Sequence, residues 1–256
     1  MKNNKISLTL LIALVGATVF FTGCSDEDDP TPKATASTEQ KLSFHLHTMV
    51  GNTAAAYGVD FQDAGGRKFN LGDFQYYISN IVLIKSNGSE LPLSGKVVLA
   101  NPARRAYELG IVPVGNYNGF KFILGLDSIT NHGDPTLYNA DHPLAIQSPG
   151  VHWTWNSGYI FMKVEGFVDT TLAANGPADL EYFYHVGMDA QKRLIDFSTS
   201  AFTVTSGLDY EIGLEFDLLE ILHNVDMRTE NETHTFNNLP LAVKIADNWQ
   251  GAFSIE

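Results

Sequence analysis

The residues of this chain best suited to chemistry are eight histidines and a closely spaced pair of tryptophans. The histidines stand at positions 45, 47, 132, 142, 152, 185, 223 and 234. His45 and His47 are two apart, a spacing that puts both imidazoles on one face of a strand, within reach of one metal ion. The same spacing also fits one ring on each side of a bulge. His185 ends the aromatic run Tyr182-Phe183-Tyr184-His185-Val186-Gly187. A histidine among apolar neighbours is more often hydrogen-bonded locally than ligated to metal, so both readings stand. Cys24 is the only cysteine and lies near the N-terminus, so the rest of the chain offers no thiolate. With imidazole as the main donor, the suitable metals are copper, zinc, iron and nickel. A ligating histidine also needs its second ring nitrogen oriented by a carboxylate or carbonyl. The sequence does not assign that partner. Glu165 is either such a carboxylate or a solvent-facing strand residue.

The tryptophans fall in His152-Trp153-Thr154-Trp155-Asn156-Ser157-Gly158-Tyr159. Residues i and i+2 of a strand share a face, so Trp153 and Trp155 project side by side. Three readings follow. They pack in the core, each needing a partner for its indole N–H. They form, with Tyr159, an exposed platform for stacking a glycan or binding a protein. Or they line a metal or redox site. Pattern alone favours the core. Covalent catalysis finds little support, since there is no Gly-x-Ser-x-Gly elbow, P-loop or Rossmann glycine set. Asp127, Asp134 and Asp141 lie in a loop with no spacing logic for paired acids. The chain does not read as an enzyme.

The N-terminus reads as a targeting segment. Lys2 and Lys5 precede an apolar run over 6–21, shorter than the ~20 residues needed to span a bilayer. Residues 1–23 are therefore expected to be a signal peptide. Phe21-Thr22-Gly23-Cys24 resembles a lipobox, with Cys24 as the lipidated residue that anchors the protein to the membrane. Residues 24–40 are an acidic and Pro/Ser/Thr-rich tether, too polar to bury a core. An acidic cluster after the lipidated cysteine resembles a surface-export signal, so an outer-membrane anchor facing either the periplasm or the cell surface is expected. The formal charge is −13, and removing Lys2 and Lys5 takes it to −15. Such a chain is repelled by nucleic acid, which binds through Lys and Arg.

The remaining ~215 residues fit one β domain over 41–256. Strands are expected at 41–50, 76–84, 96–99, 119–126, 159–167, 180–186, 201–205, 210–216 and 243–246. Frequent turn signals separate them, including Asn87-Gly88 and Asn175-Gly176-Pro177. A single helical turn is expected near 71–75 and a short helix over 218–224. Two longer polar loops, 127–151 and 224–238, are long enough to carry function. The expected fold is all-β, an antiparallel β-sandwich of Greek-key type with long loops and at most one or two short helices.

Several segments together resemble the MbnP-like family of copper-binding extracytoplasmic proteins. They are the strand around His47-Thr48-Met49-Val50-Gly51; Phe74-Gln75-Tyr76-Tyr77-Ile78-Ser79-Asn80-Ile81; Val112-Pro113-Val114-Gly115-Asn116-Tyr117; Phe120 to Asp127; the Trp-x-Trp-x-x-Gly-Tyr element; and Tyr184-His185-Val186-Gly187. The resemblance covers roughly residues 41–256. It implies a β-rich domain that binds one copper ion, preferably Cu(I), for acquisition or storage. It also implies that a tryptophan oxidised to kynurenine supports the site, matured by a diheme peroxidase-like partner. Carried over residue by residue, the ligand candidates are His47 and His185. His45 and His152 are additional histidines beside these elements and serve as candidate third ligands. Trp153 and Trp155 are the candidates for oxidation.

Overall fold

Alternation sets the architecture. In Glu39–Val50 the residues Leu42, Phe44, Leu46 and Val50 are buried, while His45 and His47 between them are partly exposed. The computed structural model describes residues 37–153 and 158–256. The expected signal peptide, Cys24 and most of the tether lie outside the described residues, as does Trp155. No described helix is long and apolar enough to cross a membrane.

Glu39–Val50 is the central strand of the first sheet. It pairs in parallel with Tyr210–Asp217, with Phe44 opposite Ile212 and His47 opposite Glu215. On its other side it pairs antiparallel with Ala106–Pro113. The C-terminal strand Phe253–Ile255 extends the Tyr210–Asp217 edge. The second sheet is larger and curls into a half-barrel. Its main strands run in the order Arg193–Phe197, Gly115–Leu124, Asp73–Lys85, Ile160–Val168, Leu180–Gly187 and Glu232–Thr233. All these pairings are antiparallel except the last.

The sheets meet through aromatic side chains. Phe44 of the first sheet lies 5.7 Å from Phe122 of the second, ring centroid to centroid. Phe216 stacks on Tyr76 at 4.7 Å, and Phe253 meets Phe122 edge-on at 5.3 Å. Each such pair is worth about 0.5–1.5 kcal/mol beyond its area burial.

The fold is mostly β in two sheets, as the strand pattern predicts, with three local differences. Glu39–Val50 and Glu232–Thr233 each have a parallel neighbour, which pattern does not show. The turn expected near 71–75 is instead the start of the long strand Asp73–Lys85. The strand expected at 243–246 is the middle of a helix, Leu239–Ala252. Its start is set by Asn238, whose side chain accepts from the Leu241 N–H, and by Pro240 in the first turn. Leu241, Ala242, Ile245, Ala246, Trp249 and Ala252 are buried at helical spacing, so packing selects the helix. The shorter helix Leu218–Ile221 falls where one is expected, with the Asp217 side chain accepting from the Leu219 N–H.

Phe216 touches Phe74, Tyr76 and Phe253, so it ties both sheets together. Phe216→Ala is expected to lower stability by about 3–5 kcal/mol, read from the shift of the urea unfolding midpoint.

Candidate metal centre

The second sheet has a polar outer face opposite its aromatic core. In Ile160–Val168, Met162 and Val164 point inward and Lys163 and Glu165 point outward. In Leu180–Gly187, Tyr182, Tyr184 and Val186 point inward, leaving Phe183, His185 and Gly187 on the outer face. Register lines these residues up, with Lys163 opposite both His185 and Gln75, and Glu165 opposite both Phe183 and Asp73.

The result is a continuous polar band. Gln75 Nε2 donates to Asp73 Oδ1 at 3.1 Å, and Lys163 Nζ donates to Asp73 Oδ2 at 2.8 Å. Glu165 Oε1 lies 3.2 Å from Lys163 Nζ and 2.7 Å from His185 Nε2. Lys163 is only 6% exposed, and a buried ammonium survives only when paired. Burial pulls its pKa down, but its bonds and charge contacts with Asp73 and Glu165 outweigh this and hold it above the usual lysine value. Burial pushes Glu165 up, and His185 and Lys163 together bring it below the usual carboxylate range.

His234 arrives from the loop after Glu232–Thr233. The Thr235 hydroxyl donates to the His185 carbonyl at 2.7 Å and accepts from the Gly187 N–H at 3.0 Å. This clamp sets His234 Nδ1 2.9 Å from His185 Nδ1 and stacks the His234 ring on Phe183 at 4.6 Å. The bonding pattern assigns the protons. His185 gives its Nε2–H to the Glu165 carboxylate; in the neutral ring this leaves the lone pair on Nδ1, which accepts from His234 Nδ1–H. Burial, and then the neighbouring His185, lower the His234 pKa and favour the neutral ring that can bind a metal.

Trp153 lies one strand repeat beyond His185. It is 5% exposed and covers Gly187, where a Cβ would collide with the indole and lie 2.6 Å from the Tyr159 carbonyl oxygen. Phe236 meets Trp153 edge-on at 5.5 Å, so one loop supplies a contact to each of His185 and Trp153. Tyr159 is fixed by its N–H to Asn131 Oδ1 at 2.8 Å and by its hydroxyl to the Leu144 carbonyl at 2.6 Å. Asn131 in turn sits on a helical turn capped by Asp127. Asp127 and Asp134 both cap short helical turns in the 127–151 loop.

Of the residues proposed from sequence, the structure brings together His185 and Trp153. It does not bring His47 to His185. His47 projects from the outer face of the first sheet, where its ring contacts Glu256 and lies 3.5 Å from Arg105 Nη1. His45 lies beside it, ring centroids 4.7 Å apart, with Nδ1 3.5 Å from Glu211. The aromatic core separates this pair from His185. Strand alternation puts each histidine on an outward face, but it does not say of which sheet. His152 neighbours Trp153 in the chain, yet its ring turns edge-on to Tyr159, with Nδ1 3.0 Å from the Trp153 carbonyl. Tyr159 is fully buried and Trp153 nearly so, which removes both from an exposed stacking platform. His234 is the site residue that pattern misses. Its only sequence signal is a place in a long polar loop. Among the described residues, no group of three or more His, Cys, Asp or Glu is arranged to hold a metal ion. The donor set is two facing imidazoles with a carboxylate behind one of them, a chemistry that suits copper, zinc, iron or nickel alike.

The sequence profile of the MbnP family matches residues 39–237. The chain belongs to the MbnP family. The matched span contains the whole polar band, together with Trp153, His234 and Phe236. Among solved structures the chain is similar to MbnP from Methylosinus trichosporium, with a TM-score of 0.51 and 16% identity over 75% of this chain and 80% of that one. At that identity the likeness establishes a shared fold. No curated protein sequence is significantly similar to the chain.

The close approach at Gly187 gives a direct test of the Trp153 placement. Gly187→Ala is expected to displace the indole, changing tryptophan emission and near-ultraviolet circular dichroism. It should destabilise the fold by about 1–3 kcal/mol, as overpacking does.

Proposed function

We propose that this MbnP-family protein is a cell-envelope lipoprotein that binds one copper ion, as Cu(I), for acquisition or storage rather than catalysis. In this reading His185 and His234 hold the ion and Trp153 forms one wall of the site. The observation that carries it is the 2.9 Å approach of the two Nδ1 atoms, with Glu165 holding the far nitrogen of His185. A carboxylate behind a ligating histidine is a usual arrangement for a metal site, because it orients the ring and raises its basicity. Ligation by both rings would part them, with His234 either moving its proton from Nδ1 to Nε2 or turning its bare Nε2 toward the ion. Copper is favoured over the other imidazole-binding metals by family membership.

Trp153 and Trp155 are the candidates for oxidation to kynurenine. Two equivalents of peroxide would cleave the indole C2–C3 bond, each delivering one oxygen atom and leaving as water, and hydrolysis of the resulting formamide would release formate and leave an arylamine and a ketone. At Trp153 those groups would add metal-donor atoms over Gly187, two residues from His185. A diheme peroxidase-like partner would supply the oxidising step. Cys24 would carry the lipid anchor to the outer membrane, with residues 24–40 as the tether. His45 and His47 form a separate imidazole pair and are not needed for the ion in this reading.

Competition with a chromogenic Cu(I) chelator tests the assignment. The full chain is expected to take up about one Cu(I), consistent with one imidazole site. His185→Ala combined with His234→Ala should abolish uptake, and His47→Ala should leave it intact. Uptake that survives the double change, or that disappears with His47→Ala alone, overturns the site.

A further inference from the structure

We propose that Lys163 is a positioning residue that decides which ring nitrogen of His185 is offered to a metal. The inference rests on His185 being a ligand. It concerns a different property, the proton position on the metal-free ring.

Lys163 stands between two carboxylates on the outer face of the sheet. Its Nζ is 2.8 Å from Asp73 Oδ2 and 3.2 Å from Glu165 Oε1. Asp73 is itself held by Gln75 Nε2, which lies 3.1 and 3.2 Å from its two oxygens. The ammonium is therefore anchored on one side and pulls on Glu165 from the other. The pull falls on Oε1, the same oxygen that meets His185 Nε2 at 2.7 Å. An ionised carboxylate can only accept hydrogen bonds. While Lys163 holds Glu165 in this rotamer, the neutral His185 ring must carry its proton on Nε2 and leave Nδ1 bare. Nδ1 is the atom that faces His234. Without Lys163, Glu165 loses its fixed anchor and stands near Asp73 with no intervening positive charge. Its rotamer is then released, and the proton on His185 is no longer confined to one nitrogen.

The metal-free full chain with nitrogen-15-labelled histidine tests this at mildly alkaline pH. Wild type is expected to show His185 as a single tautomer, with the proton on Nε2 and a downfield, slowly exchanging ring N–H resonance. Lys163→Met should lose that resonance and show averaged ring-nitrogen shifts, while Lys163→Arg should restore the wild-type pattern. Copper affinity of Lys163→Met should fall about 10–100-fold, the range seen when outer-shell partners of metal ligands are removed. A role confined to fold stability would lower the melting temperature without changing the tautomer. If Lys163→Met keeps the Nε2 proton unchanged, the proposal is wrong, whatever happens to copper. If the methionine variant does not fold, the wild-type spectrum still decides, since a proton on Nδ1 of His185 contradicts the proposal directly. Failure of the copper reading would appear instead as unchanged uptake after His185→Ala, with the ring-proton result intact.

Discussion

The hydrogen bond from His185 Nε2 to Glu165 is the interaction on which the rest of the site depends. It joins two neighbouring strands across the face of the sheet that is turned away from the core. Those strands, Ile160–Val168 and Leu180–Gly187, carry opposite demands on their two sides. Inward they supply Met162, Val164, Tyr182, Tyr184 and Val186 to the aromatic interior. Outward they carry Lys163, Glu165 and His185, none of which can be buried alone without a cost of several kcal/mol. The register resolves the conflict by setting Lys163 opposite His185, so that each charge finds its partner on the next strand. A slip of one residue would turn the whole polar band into the core, which is why this pairing is strongly specified.

The outer face is covered as well as polar. Tyr77 lies on that face, donates its hydroxyl to the Pro143 carbonyl, and meets Tyr159 edge-on at 5.6 Å. Leu144, Val151 and Trp153 are buried in the same covering segment. The loop carrying His234, Thr235 and Phe236 closes the other side through the Thr235 clamp. Cover of this kind lowers the local dielectric and strengthens every polar contact inside. Burial also favours the neutral form of the His234 ring. Gly187 belongs to this design, because only a residue without a side chain lets the indole lie against the strand.

Much of this was legible in the sequence. The strands around 76–84, 159–167, 180–186 and 210–216 follow from β-branched and aromatic runs bounded by turn residues. The resemblance groups Trp153 with both His185 and His47; in the structure Trp153 lies over Gly187, two residues from His185, while His47 is on the other sheet. Other features were out of reach for identifiable reasons. Alternation places His47 and His185 on outward faces, but assignment to a sheet depends on the parallel pairing of Glu39–Val50 with Tyr210–Asp217, far away in the chain. His234 reaches the site through a loop clamp, and loops carry no periodicity to read. The helix Leu239–Ala252 was readable in principle from Asn238 and Pro240, but Val243 to Ala246 taken alone looks like a strand. The outer-face role of Lys163 needs the register, since a lone lysine in a strand reads as a solvated residue.

In the proposed function a metal enters between His185 and His234, beside Trp153, and not at the His45–His47 pair. Crystals of the Cu(I)-loaded protein, with diffraction measured on both sides of the copper absorption edge, locate the ion without reference to any ligand assignment. One anomalous peak is expected, in contact with His185 Nδ1 and a ring nitrogen of His234. A principal peak beside His47 on the opposite sheet, with the His185–His234 hydrogen bond undisturbed, would contradict it.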